Sequence, residues 1–404
     1  MKLLFDATEL SYFKEKSGHR AGVFFVALNI FNELKKADVN ITFTCDYKRY
    51  FFLKNLKEFS DIKLLNENSL LNLFLGKLVY LTRNFPINLR YALLILLRFY
   101  EKYLYKKNKK NSEQLLDFSV YFSPITPPSK EIEESELKRF RMIHDVIPIL
   151  ENGKTKSPKD WYYKIYSTIN DKDFYFSNSE YTQKDILKFF PFIKEENIKT
   201  TLLGANENYK PVDDNTILKK YNLPPKYIFS LCSLGKRKNL EFGIKNFFEF
   251  IERNRIDDLY LVLAGGIWKR FEKELNGTLN KYDKNRIKIL GYVPDEDLPA
   301  LYSQALMFIY PSLYEGFGLP VLEAMQCGCP VITSNTTSLP EVIGDAGIQI
   351  NPTSDEEMIA AYKRMYFDAD FREKCRQNGL ERAKQFSWEK CAAEILEFIK
   401  EKCV

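Results

Sequence analysis

Short apolar runs, each closed by a polar residue and separated from the next by a helical stretch, recur along the whole of this chain. In the first half MKLLFDAT, VNITFTCD, SVYFSP, RFRMIHDVI and DFYFSNS read as strands. In the second half the pattern restarts with YIFSLCSL, DLYLVLAG, RIKILGYV, LMFIYPS, CPVITSN and AGIQINP. Between them lie stretches such as Gly22 to Lys36, with apolar residues three and four apart, Asn239 to Arg253 and Asp297 to Ala305. Strands that alternate with helices form parallel sheets, because a parallel pair needs a crossover long enough to hold a helix. The segment LGANENYKPVDDNT, residues 203–216, has the Asn, Asp, Gly and Pro content of a linker. The expectation is an α/β protein of two Rossmann-like, doubly wound domains joined near residue 205 and facing a cleft. The first covers 1–205, the second 206–385, and a C-terminal helix at about 386–404 crosses back to the first. No internal repeat or low-complexity tract interrupts this pattern.

The chain has 404 residues, enough for two cores of ordinary size, with 45% hydrophobic and 28% charged residues, as in soluble globular proteins. The longest uncharged apolar run, Tyr91 to Leu97, is bounded by Arg90 and Arg98 and is too short to span a bilayer. The start, MKLLFDATEL, reaches Asp6 too early for a signal peptide and reads as a first strand. Seven cysteines at 45, 232, 327, 329, 375, 391 and 403 form no CxxC pair, which points to free, mostly buried thiols in a reducing cytoplasm.

Ligands of open α/β sheets bind outside the carboxyl ends of the strands, so strand-to-helix loops are where chemistry is expected. The richest such loop lies in YPSLYEGFGLPVLEAMQCGCPVITS, residues 310–334. A strand ends at Pro311, Gly316 and Gly318 follow, Pro320 suits the first turn of a helix and Gly328 its end. Glycines before a helix N-terminus let backbone N–H groups approach an anion, and the helix dipole favours a phosphate there. Glu315 in the loop and Glu323, read as lying in the first helical turn, are carboxylates able to accept hydrogen bonds from paired sugar hydroxyls. The plainer reading, a turn followed by an ordinary helix start, accounts for each residue singly but not for their coincidence. Together they suit a nucleotide sugar.

The run EGFGLPVLEAM resembles the Glu-x7-Glu motif of retaining GT-B glycosyltransferases, in particular glycosyltransferase family 4. SLCSLGKRKNLEFGIKNF (230–247), LVLAGG (261–266), ILGYVPDEDLPALYSQA (289–305), SLPEVIGDAG (338–347) and FSWEKCAAEIL (386–396) fit the family in its order. In the first half IHDVIPIL (143–150), SNSEYTQKDIL (177–187) and RAGVFFVALNIFNEL (20–34) resemble it more loosely.

What the resemblance implies is specific. Lys238, helped by Arg237, would neutralise the donor diphosphate, a role that outweighs the reading of KRKN as a solvated patch. Where some members carry an Arg after the strand glycine, this chain has Cys232, Ser233 and Leu234, so that Ser233 offers only a hydroxyl. Glu315 would contact donor-sugar hydroxyls, Glu323 the ribose and Val293 the base. The amides around Gly316, Phe317, Gly318 and Leu319 would cradle the phosphate. His144 would meet the donor sugar near the reacting carbon, and Gly22 would let the first loop approach phosphate or acceptor; His19 is read as structural. The implied reaction is retaining hexosyl transfer, for instance from GDP-mannose or a UDP-hexose, to a glycan or lipid-linked acceptor of a bacterial-type polysaccharide or glycolipid. The leaving phosphate would help to take the acceptor's proton.

No metal and no cofactor are expected. The Asp-x-Asp look-alikes at 171–173, 295–297 and 368–370 do not follow a strand beside a donor pocket and are read as solvated surface acids. Two rivals share the fold: a nucleotide-sugar epimerase, and a non-catalytic module that binds a glycan or a partner. The paired glutamates with KRKN argue against the first, and an intact His144, Lys238, Glu315 and Glu323 set against the second.

Of a net charge of +6, the segment from Lys77 to Lys110 holds nine Lys or Arg against one acid, Glu101. Residues 68–111 interleave these with Leu, Phe and Tyr. Such a surface either rests on anionic lipid, holding a cytoplasmic enzyme at the inner membrane face beside its acceptor, or is the charged outer face of a core helix. Nucleic acid is not expected, since no recognition motif accompanies the charge.

Overall fold

The computed structural model describes residues 1–13, 22–65, 70–82, 115–151, 160–231, 235–266 and 277–403. His19, Cys232, Ser233, Leu234 and the 83–111 part of the basic segment lie outside the described residues.

The first unit holds a parallel sheet of seven strands: β1 (Lys2–Asp6), β2 (Asn40–Thr44), β3 (Lys63–Leu64), β4 (Val120–Ser123), β5 (Lys138–Ile143), β6 (Phe174–Ser177) and β7 (Ile198–Thr200). Their order is β3-β2-β1-β4-β5-β6-β7, with registers such as Leu3 opposite Ile41 and Val120. β4 is buried along its whole length, as a strand covered on both faces must be, and its sequence VYFS is accordingly unbroken by charge. The core is aromatic. Phe31, on the helix Gly22–Lys36, packs against Phe5 and Phe43 at 5.9 and 4.9 Å between ring centres. Fully burying each such side chain contributes about 1.5–3 kcal/mol.

The second unit repeats the plan with β8 (Tyr227–Leu231), β9 (Tyr260–Ala264), β10 (Ile287–Gly291), β11 (Met307–Tyr310), β12 (Val331–Ser334) and β13 (Ile348–Ile350), all parallel, in the order β10-β9-β8-β11-β12-β13. One face is filled by Ile244, Phe247 and Phe250 of the helix Leu240–Asn254, with Leu261, Met307 and Ile309 from the strands and Tyr362 and Met365 beyond them. In both sheets the winding reverses once, between β1 and β4 and between β8 and β11. In doubly wound sheets such a reversal is where ligands bind, outside the carboxyl ends of the strands.

The units divide as Met1–Ser177, Ile186–Thr201 and Ala392–Val404 against Asn178–Asp185 and Leu202–Cys391. By this division residues 178–185, expected in the first domain, group with the second unit. The reason is local: the Ser179 and Thr182 hydroxyls donate to the Gly316 carbonyl at 2.8 and 3.0 Å, and the Glu341 carboxylate accepts from the N–H groups of Glu180 and Tyr181. The last helix, Trp388–Cys403, begins in the second unit and ends in the first, where Phe398 meets Phe176 at 5.5 Å. Segment 203–216 is not a loose linker at its start. A Cβ on Gly204 would stand 2.6 Å from the Trp388 nitrogen, and residues 203–205 are buried.

Two of the supposed solvated acids are buried. Asp173 is 1% exposed and receives Arg139 Nε at 2.7 Å; Asp297 is 8% exposed and receives Lys220 and Tyr221. Their partners lie far away in sequence, so nothing near DKD or DED announced them. Asp171, Asp295, Asp368 and Asp370 are exposed. Among the described residues no group of three or more His, Cys, Asp or Glu could hold a metal ion, six cysteines form no disulfide and four of them are buried, and no helix is long and apolar enough to cross a membrane.

Candidate active site

β8 and β11 are neighbours at the switch point of the second sheet, and each delivers its loop to the same place. After β8 a short turn, Lys236–Lys238, ends at Asn239, whose φ of 55° is a left-handed conformation that Asn tolerates and whose side chain donates to the Pro352 carbonyl at 2.7 Å. That turn faces Arg237 and Lys238 toward the loop after β11, where the Leu313 N–H donates to the Arg237 carbonyl at 2.8 Å.

Glu315 sits between the two cations. Its Oε1 is 2.6 Å from Lys238 Nζ and its Oε2 is 2.7 Å from Arg237, with only 7% of the residue exposed. Burial pushes the carboxyl pKa up, but Lys238 and Arg237 outweigh it, so that it lies below the ordinary glutamate value and is ionised at neutral pH. Lys238 also donates to the Tyr310 hydroxyl at 2.5 Å and lies 4.8 Å from the centre of that ring. Tyr310, the last residue of β11, was not singled out in the sequence. A tyrosine at the end of a buried strand carries no signal of its own, and the cation it serves is 72 residues away.

The backbone beside Glu315 is tightly specified. Gly318 precedes the helix Leu319–Gln326 with φ 111°, a conformation that favours glycine, and a Cβ there would also stand 2.7 Å from Leu339 Cδ2. Pro320 lies in the first turn, as expected. Thr337, a β-branched residue at φ 57°, is strained; its hydroxyl accepts the Glu315 N–H at 3.1 Å, and the contact holds the strained turn against the glutamate.

Glu323 corrects the sequence reading, for it lies in the second turn of its helix and not the first. Burial raises its pKa to about 7, against the hydrogen bond from the Tyr302 hydroxyl at 3.1 Å, while Asp295 adds to the rise. The sign of the linked stability follows. A carboxyl whose folded pKa is raised keeps its proton while the unfolded chain loses one, so stability falls as pH climbs from the usual glutamate value to about 7, then levels off. The melting temperature of wild type relative to Glu323→Gln should therefore decline across that window; a flat difference would show that Glu323 titrates normally.

Val293 is buried, with Gly291 at φ 67° two residues before it. In the first unit, Gly22 opens the helix Gly22–Lys36. His144 follows β5, and its Nε2 lies 2.8 Å from the Pro124 carbonyl. A carbonyl only accepts, so Nε2 carries the hydrogen and Nδ1 is left as an acceptor. Burial lowers the imidazole pKa to about 4, the Pro124 bond acting the other way, and the ring is neutral at physiological pH. Of the residues named from sequence, then, Arg237, Lys238, Glu315, Gly316, Phe317, Gly318 and Leu319 form one constellation.

Two doubly wound parallel sheets, one with a cationic, glycine-lined switch point, make up the GT-B fold of glycosyltransferases. The family model Glycosyl transferases group 1 matches residues 213–382, within the second unit. O-antigen chain mannosyltransferase B of Escherichia coli is 35% identical over 243 residues, 57% of this chain and 61% of the relative, so the match spans less than two thirds of that protein. Among solved structures, sucrose-phosphate synthase from Thermosynechococcus elongatus superposes with a TM-score of 0.69 at 16% identity, covering 99% of this chain and 98% of its own. Anabaena HepE, in complex with UDP and glucose, gives 0.69 at 17%, covering 99% and 100%. At such identities these two structures speak for the fold.

Proposed function

We propose that the chain is a retaining glycosyltransferase that moves a hexose from a nucleoside diphosphate sugar to a glycan or lipid-linked acceptor in polysaccharide or glycolipid synthesis. The observation that carries this reading is the trio Arg237, Lys238 and Glu315: two cations for a leaving diphosphate and one ionised carboxylate for sugar hydroxyls, at the switch point of a family domain. Departure of the diphosphate builds negative charge, and preorganised cations stabilise it in the transition state more than in the ground state. The mannosyltransferase relative favours GDP-mannose as donor, and the UDP and glucose held by HepE support a UDP-hexose as the second choice. Glu323, with Tyr302 behind it, would hold the ribose, and neutral His144 would offer Nδ1 to a sugar hydroxyl. The basic stretch within 68–111 suits a cytoplasmic enzyme resting on the inner membrane face, and liposome binding should be lost when Lys106, Lys107, Lys109 and Lys110 are neutralised.

Proton NMR of the product should show the donor's anomeric configuration kept; an inverted product would sink the retaining mechanism. On this reading Arg237 and Lys238 would neutralise the leaving diphosphate without a metal, so turnover should persist in EDTA, and its abolition would show that a divalent ion is needed. Donor hydrolysis present in wild type and absent in Glu315→Ala separates an enzyme from a binding module.

A further inference from the structure

The three successive carbonyls that follow Glu315 Cα are each tied down by a buried hydroxyl. Ser338 Oγ donates to the carbonyls of Glu315 and Phe317, both at 2.9 Å, its single hydrogen shared between them. The Gly316 carbonyl, between these two, accepts from Ser179 Oγ at 2.8 Å and Thr182 Oγ1 at 3.0 Å. Ser338 and Ser179 are fully buried and Thr182 is 1% exposed. The next carbonyl, that of Gly318, accepts from the Val321 N–H at 2.9 Å.

In a planar trans peptide the N–H points opposite to the C=O. Holding the carbonyls of 315, 316, 317 and 318 therefore aims the N–H groups of Gly316, Phe317, Gly318 and Leu319. None of these four N–H groups donates a hydrogen bond to another described residue, although Gly316, Phe317 and Gly318 are buried. Buried N–H groups left without a partner are rare and costly, and three in a row before a helix N-terminus form a nest for an anion.

We infer that Ser338, Ser179 and Thr182 are positioning residues: they set the direction of the backbone N–H groups that receive the donor's diphosphate, without touching it. This rests on the nucleotide-sugar reading above. It also gives a chemical role to the SNSEYT and SLPE segments, which the proposed reaction does not otherwise use. Hydroxyls suit the task because each donates to a carbonyl while presenting no charge that would compete with the phosphate.

The test uses the full chain with UDP and GDP as probes, taking whichever binds wild type more tightly, and the matching nucleoside as a control without phosphate. Titration calorimetry on Ser338→Ala should show the diphosphate weakened about ten-fold, with the nucleoside nearly unchanged. Thr182→Val, which replaces the hydroxyl by a methyl of the same shape, should weaken the diphosphate about three-fold, and Thr182→Ser should restore it. Should Ser338→Ala fail to fold, the Thr182 pair decides. Equal weakening of diphosphate and nucleoside, or a lowered melting temperature with diphosphate affinity intact, would reduce these residues to structural ties and overturn the inference. Wild type binding neither diphosphate would instead overturn the donor reading, and the inference with it.

Discussion

Replacing Glu315 by Gln should cut sugar transfer by about 100- to 1,000-fold while leaving nucleoside diphosphate binding as tight as in wild type, or tighter. The two effects part because Glu315 neutralises the cations that, on the proposed reading, would hold the phosphates. Its carboxylate lies 2.6 Å from Lys238 and 2.7 Å from Arg237, whose side chains are 10% and 25% exposed. Gln keeps the shape and loses the charge, so the cations face an incoming diphosphate with their full strength. The unliganded protein should suffer. Removing one member of a buried ion pair costs about 3–5 kcal/mol at the fully buried limit, and less here because Arg237 remains partly in water. A diphosphate at one hundred times its dissociation constant returns about 2.7 kcal/mol. Melting curves with and without UDP or GDP should therefore show a larger ligand-induced shift in Glu315→Gln than in wild type. If affinity and turnover fell together, Glu315 would be a scaffold for the loop and not a contact to the transferred sugar.

The strands were legible because parallel strands buried on both faces are written as uninterrupted apolar runs. VYFS, MFIY and VITS each became a strand buried throughout. The edge strands β3 and β7 were not, since neither KL nor IKT stands out as an apolar run. In the candidate site, glycines, Pro320, KRKN and both glutamates announced themselves by type and local order. The residues that hold them did not. Tyr310, Thr337, Ser338 and Ser179 act through one hydroxyl on a partner remote in sequence, and a lone hydroxyl residue is among the commonest features of any surface. Asp173 failed in the other direction: DKD looks solvated until Arg139, from the neighbouring strand β5, is seen against it. Pairing across a sheet depends on strand order, and strand order is not written in any single segment.

Lys238→Met should do the reverse of Glu315→Gln, losing diphosphate affinity first. Met matches the length of the lysine stem and keeps its packing against Tyr310, so the change removes little besides charge. A hydrogen bond to a charged group contributes about 1.5–3 kcal/mol, which predicts about 10- to 100-fold weaker binding of UDP or GDP. Transfer should fall further, because the charge on the departing diphosphate is largest in the transition state. The acid limb of the stability curve supplies an independent check. In wild type the Glu315 pKa is depressed, so the pair contributes stability that is present above the ordinary glutamate value and lost as pH falls through the folded value. Without Lys238, burial is opposed by Arg237 and the weaker Ser312 hydrogen bond, and the depression shrinks or turns into a rise. The stability lost on acidification should then be smaller in Lys238→Met than in wild type, and in the limit of a raised pKa the variant gains stability on going from neutral pH to the glutamate range. Parallel acid limbs for the two proteins would mean that Glu315 stays ionised without Lys238, and that Lys238 owes its place to the diphosphate and not to the carboxylate.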